Sequence, residues 1–136
     1  MAGLFVFIAA GAPVKAGILT AVLWRVVAIE KMKLADAKMR LAKADMMALG
    51  NCLAMYELNA GVYPTTEQGL KALVDRPIAP PIPRRWARIL DKMLVDPWGH
   101  PYQYQFPGAK DPAKYELFSL GPDGVADTAD DVRGDG

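Results

Sequence analysis

Cysteine and histidine are almost missing from this 136-residue chain, each occurring once. Cys52 has no intrachain partner, so no disulfide framework holds the fold, and at helical spacing among apolar residues its thiol reads as packing rather than chemistry. His100 stands alone too, which excludes the metal centres and acid–base pairs that are built on several histidines. An excess of charge of one sign is also lacking. The 16 Lys and Arg nearly balance the 15 Asp and Glu, for a net charge of +1, so there is no global reason to expect nucleic acid and any electrostatic argument must be local. What is present is 52% hydrophobic and 9% aromatic residues, enough for one domain with a modest core and too many for a disordered chain.

Charge is scarcest at the start. From Met1 to Trp24 the only charged side chain is Lys15, and the run is close to the ~20 apolar residues that span a bilayer. It reads as a membrane segment, although Pro13 interrupts it and a mid-span lysine costs about 2.5 to 3.5 kcal/mol unless paired or able to reach a polar region. The rival reading is a cleaved signal peptide. That needs a basic n-region, and no Lys or Arg precedes Lys15. Residues 1–30 are therefore expected to form the membrane-spanning part of a long helix.

The helix continues through Met32, Ala35, Met39, Ala42, Met46, Leu49, Leu53, Tyr56 and Ala60, spaced alternately three and four, which makes one face apolar. Lys31, Lys33, Asp36, Lys38, Arg40, Lys43 and Asp45 fall mostly off that face, as solvated residues do. Asn59 and Gly61 supply a stop, and Tyr63-Pro64 sends the chain into extended geometry. Residues 31–136 are thus expected to form an amphipathic helix plus a globular domain.

Thr65 followed by Gln68 has the form of a capping box and predicts a short helix after Pro64, with Leu70, Leu73 and Val74 turned to the long helix. Pro77, Pro80, Pro81 and Pro83 predict an ordered connector without regular structure, and Trp86, Ile89 and Leu90 a brief helical turn after it. In DPWGHPYQYQF a turn leads into alternating Tyr102, Tyr104 and Phe106, the pattern of a strand with one buried face. YELFSL, Tyr115 to Leu120, is its antiparallel partner across a loose hairpin. The aromatics read as a core cluster in preference to a ligand platform.

The chain closes on SLGPDGVADTADDVRGDG, which carries five aspartates, four glycines and one arginine. Two readings stand. Small polar termini fray, but Asp123, Asp127, Asp130, Asp131 and Asp135 also offer more carboxylate than solubility requires, and a loop that gathers several of them suits a hard cation such as Ca²⁺, which takes six to eight oxygens in irregular geometry. The spacing is not that of an EF-hand.

AKADMMAL, YELNAGVYPTTEQGLKALV, DPWGHPYQYQFPG, and YELFSLGPDG with TADD together resemble the major-pseudopilin family of the type II secretion system, part of the wider type IV pilin-like group. The resemblance implies an α+β fold, a long N-terminal helix packed on a small antiparallel sheet. It also implies a periplasmic pseudopilus built from many copies, and a Ca²⁺ ion in the loop after the last strand. In that loop Asp123, Asp130 and Asp131 would supply side-chain ligands, with carbonyl oxygens near Leu120 and Thr128. The N-terminus departs from the family pattern of a basic leader, a glycine–phenylalanine cleavage site and a glutamate at the fifth mature position, whose ungapped place falls on Gly11. Met1 to Trp24 is therefore expected to remain on the mature protein. Lys and Arg after the span favour a cytoplasmic side, whereas a calcium loop favours the periplasm.

The expected function is a calcium-stabilised structural subunit of a pseudopilus-like assembly, single-pass in the inner membrane, that associates with copies of itself through the N-terminal helix and with other pseudopilins. The alternative is a membrane-anchored accessory subunit of another membrane complex. Catalysis is not expected, because a catalytic metal needs an open position and a base.

Overall fold

The structure, a computed structural model, describes residues 13–134. Its elements in chain order are a long helix α1 (Pro13–Ala60), a short 3₁₀ helix (Leu70–Leu73), and strands β1 (Gln103–Gln105), β2 (Glu116–Ser119) and β3 (Val132–Arg133). The chain divides into two units, Met1–Ala37 and Lys38–Gly136.

In the first unit the described backbone is helical from Pro13 onward. Ile18, Leu19, Val22, Leu23, Trp24, Val26, Val27 and Ile29 are all exposed there. No helix among the described residues is long and apolar enough to cross a membrane, and the first twelve residues of the span read from the sequence lie outside the described ones.

The second unit holds the core. Ala42, Met46, Leu49, Leu53 and Tyr56 are buried, with Met39 and Ala60 half-buried against them. The three-and-four spacing thus describes the buried face from Met39 on, whereas Met32 and Ala35, in the other unit, are exposed. Burying a leucine such as Leu53 contributes about 1.5–3 kcal/mol. Cys52 is a free, half-buried thiol beside this face, and burial pushes its pKa up, which makes it less reactive. The helix stops at Ala60, where the Gly61 N–H donates to the Glu57 carbonyl at 2.7 Å.

The capping box forms, since the Gln68 N–H donates to Thr65 Oγ1 at 3.2 Å and the Thr65 N–H to Gln68 Oε1 at 3.0 Å. It opens a turn and the 3₁₀ helix Leu70–Leu73 rather than an α-helix. Leu70, Ala72 and Leu73 are buried, while Val74 is only half-buried. Gln68 Nε2 also donates to the carbonyls of Ala79 at 2.7 Å and Pro81 at 2.9 Å. One buried side chain thereby orders the proline-rich connector. Trp86, Ile89 and Leu90 form no helical turn, because the N–H groups of Ile89 and Leu90 both donate to the Leu73 carbonyl, at 2.9 and 3.0 Å, and Trp86 Nε1 to the Ala72 carbonyl at 2.8 Å. Donors committed to a distant segment cannot also close a local turn.

The sheet among the described residues has the order β1-β2-β3 and is antiparallel throughout. Tyr104 faces Leu117 across β1 and β2, and Ser119 faces Val132 across β2 and β3. The hairpin matches the alternation in the sequence. β3, two residues of the acidic tail, was not anticipated from it. Leu117, Val132 and Tyr102 close the core. Two hydroxyls fasten the sheet, Tyr102 to Asp45 Oδ2 at 2.8 Å and Tyr104 to the Pro64 carbonyl at 2.7 Å. Burial first, then the Asp45 carboxylate, pushes the Tyr102 pKa upward. Tyr63 meets Phe106 and Tyr115 edge-on at 5.5 and 5.1 Å between ring centroids, so the aromatics are packing.

Candidate metal centre

The acidic loop leaves β2 at Leu120 and returns as β3 at Val132. Leu120 is half-buried at the strand end. The Gly121 N–H donates to Ser119 Oγ at 3.1 Å, with φ of +66°, and a Cβ there would run into the Asp130 backbone carbonyl. Only glycine lets the two ends of the loop touch at this point.

Across that contact, backbone donors aim the carboxylates. Asp130 Oδ2 accepts the Asp123 N–H at 3.1 Å, Asp123 Oδ1 the Val125 N–H at 2.9 Å, and Asp131 Oδ2 the Asp127 N–H at 2.8 Å. One carboxylate oxygen from each of Asp123, Asp130 and Asp131 lies within 4.8 Å of the others. The single Thr128 hydroxyl proton is best placed for Asp130 Oδ1, at 2.5 Å, with Asp131 Oδ1 at 3.3 Å and the Val125 carbonyl at 3.1 Å also in reach. The Thr128 hydroxyl above all, assisted by the Asp123 N–H, holds the Asp130 carboxyl below its ordinary pKa. The Thr128 carbonyl accepts the Asp131 N–H at 3.2 Å and keeps a second lone pair.

Arg133 approaches from β3. Its Nη2 lies 2.8 Å from Asp127 Oδ1 and 3.5 Å from Asp131 Oδ2, and its guanidinium sits 4.7 Å from the centroid of the Phe118 ring. Asp127 is thus drawn to Arg133 and away from the other three, and Asp135 lies outside the described residues. Among the described residues no ion pair reaches Asp123 or Asp130. Three like charges this close repel, and a cation relieves the repulsion. The donors are hard anionic oxygens, which match Ca²⁺ and not the thiolate and imidazole sets of zinc. The cluster can bind a metal.

The sequence model of the type II secretion system (T2SS) protein G family matches residues 31–134. The chain belongs to that family. It is 48% identical over 91 residues to the type II secretion system core protein G of Pseudomonas aeruginosa, covering 65% of this chain and 63% of the relative. With the protein of the same name from Aeromonas hydrophila the identity is 47% over 93 residues, covering 67% and 64%. The chain thus spans a little under two thirds of the length of these relatives. The crystal structure of the major pseudopilin from the type 2 secretion system of enterohaemorrhagic Escherichia coli superposes with a TM-score of 0.69 at 39% identity, covering 76% of this chain and 91% of that one. The expected pilin-like fold, a long helix with a small antiparallel sheet, is the fold found.

Three residues around the loop escaped the sequence reading. Arg133 had a signal, as the lone cation in an acidic tail. Ser119 had one as well, because the alternation in YELFSL puts it on the inward face with Leu117, where a hydroxyl needs a partner. Asp96 opens a proline–glycine turn in the sequence, and nothing in DPWGH shows that its carboxylate is buried.

Proposed function

We propose that this chain is a structural, non-catalytic subunit of a type II secretion pseudopilus, corresponding to the major pseudopilin. The observation that carries the proposal is the match of residues 31–134 to protein G, supported by the likeness to a solved major pseudopilin over 91% of that chain. In this reading residues 1–30 anchor the subunit in the inner membrane and residues 31–136 lie in the periplasm. The apolar run from Met1 to Trp24 and the exposed Ile18, Leu23, Val26 and Ile29 support an anchor. Exposed apolar side chains on one helix also suit association with identical helices.

Asp123, Asp130 and Asp131, with the carbonyls of Leu120 and Thr128, would hold a Ca²⁺ ion. Bound there, the ion would supply positive charge that keeps the loop folded; it would take part in no reaction. Periplasmic placement fits a site of this kind, because free calcium is scarce in the cytosol.

The test is electron microscopy of assemblies from membranes that contain the full chain, with native mass spectrometry of the solubilised material. Filaments built from this subunit are expected. A fixed-stoichiometry complex with unrelated membrane subunits and no filament would favour the accessory-subunit alternative.

A further inference from the structure

We infer that the turn Asp96–His100 is the support that sets the shape of the metal loop, with Asp96 and Ser119 as positioning residues. The inference rests on the calcium reading above. Asp96 is 3% exposed and Ser119 fully buried. Asp96 Oδ1 accepts the backbone N–H groups of Trp98 at 3.1 Å and His100 at 2.8 Å, which closes its own turn. Oδ2 is not needed for that. It accepts the Ser119 hydroxyl at 2.6 Å, from a strand 23 residues away.

A serine hydroxyl has one proton and two lone pairs. With the proton given to Asp96, Ser119 Oγ is left to accept, and the donor it takes is the Gly121 N–H at 3.1 Å. Gly121 is the residue pressed against Asp130. A chain of two hydrogen bonds therefore runs from a buried carboxylate to the point where the loop closes on itself. Because the first bond is charge-assisted, it is the stronger kind.

The same turn touches the loop a second time. Gly124, next to Asp123, has φ of +67°, and a Cβ there would lie 2.7 Å from His100 Nε2. The imidazole edge thus fills the space a side chain would occupy. Among the described residues His100 Nδ1 is buried with no hydrogen-bond partner and lies 3.8 Å from Asp96 Oδ1, too far for a bond, so packing holds the ring against Gly124. The Gly121–Asp130 contact and the Gly124–Asp123 corner are both backed by residues 96–100. Ligands held in place before the ion arrives bind it more tightly, and loss of such outer partners typically weakens a metal site about 10–100-fold.

The experiment is calorimetric titration of the full chain with calcium chloride, for the wild type, Ser119→Ala, Asp96→Asn and Tyr104→Phe. The last removes a hydroxyl bond to the Pro64 carbonyl, outside the Asp96–Ser119–Gly121 chain, and serves as the control for a general loss of stability. Ser119→Ala and Asp96→Asn are expected to bind calcium at least about tenfold more weakly, with faster amide exchange at residues 121–131 in EDTA, while Tyr104→Phe keeps wild-type affinity. Wild-type affinity in Ser119→Ala overturns the inference and leaves the calcium reading standing. Equal weakening in Tyr104→Phe also overturns it. A wild type that does not bind calcium defeats the calcium reading and the inference with it. Should Asp96→Asn fail to fold, Ser119→Ala, which deletes a single oxygen, decides alone.

Discussion

The helical core and the acidic loop reach order by opposite means. Toward the helix, Leu49, Leu53 and Leu73 are fully buried, and apolar burial alone accounts for their arrangement. Beyond Ser119 the loop has no core of its own; Asp123, Asp130 and Asp131 are brought together by backbone donors and one threonine hydroxyl, against their own repulsion. The first region needs no ion. The second gathers charge that a cation would neutralise, so in the calcium reading proposed above one small unit contains a part that folds without the ion and a part that depends on it.

The largest expected effect breaks the first region. Leu53→Ala should destabilise the protein by about 2–5 kcal/mol, read by thermal or denaturant unfolding, and the rise in melting temperature caused by calcium should persist in the folded fraction. Loss of that calcium response would mean the two regions are not separate.

Next in size is Asp130→Ala with Asp131→Ala, which leaves the core intact. Calcium at a hundredfold excess over its dissociation constant should stabilise the wild type by about 2.7 kcal/mol, as a ligand of the folded state alone does, and that gain should vanish in the double variant. If the segment is a frayed tail, the double change should alter stability by less than about 0.5 kcal/mol and no calcium response should exist to lose.

The smallest effect is in pH. The Asp130 carboxyl is held below its ordinary value of 3.8 in the folded state, so the stability it contributes is present above that value and is lost as pH falls through the lowered one. The melting gain from calcium should stay level from about pH 8 to about pH 6 and fall only in the carboxylate range. A gain that disappears near pH 6 would separate the calcium response from these carboxylates and contradict the assignment.

How much of this was legible follows from where the signals lie. The helix face from Met39 to Ala60 and the aromatic alternation of the hairpin are periodic, and periodicity survives folding because it is what burial selects. The Thr65–Gln68 cap was legible as a pair of hydrogen bonds, but not the 3₁₀ geometry after it, which depends on where Leu70 and Leu73 meet the core. Trp86 to Leu90 has helical spacing, yet its donors are taken by Ala72 and Leu73, a tertiary fact with no local trace. β3 is too short to alternate; only Val132, apolar in an acidic stretch, marks it. Asp123, Asp130 and Asp131 were singled out together and are found together. Asp127 belonged to the same acidic run and is instead claimed by Arg133, a choice made by a strand the sequence does not announce.

The most direct test of the central contrast is amide hydrogen exchange on the full chain, compared in EDTA and in excess calcium. Calcium should slow exchange across residues 121–131, which open locally, by at least about tenfold, whereas the buried amides of Leu49, Leu53 and Leu117 should slow only by the factor that the gain in global stability sets. Equal exchange of the loop in both solutions would contradict the account.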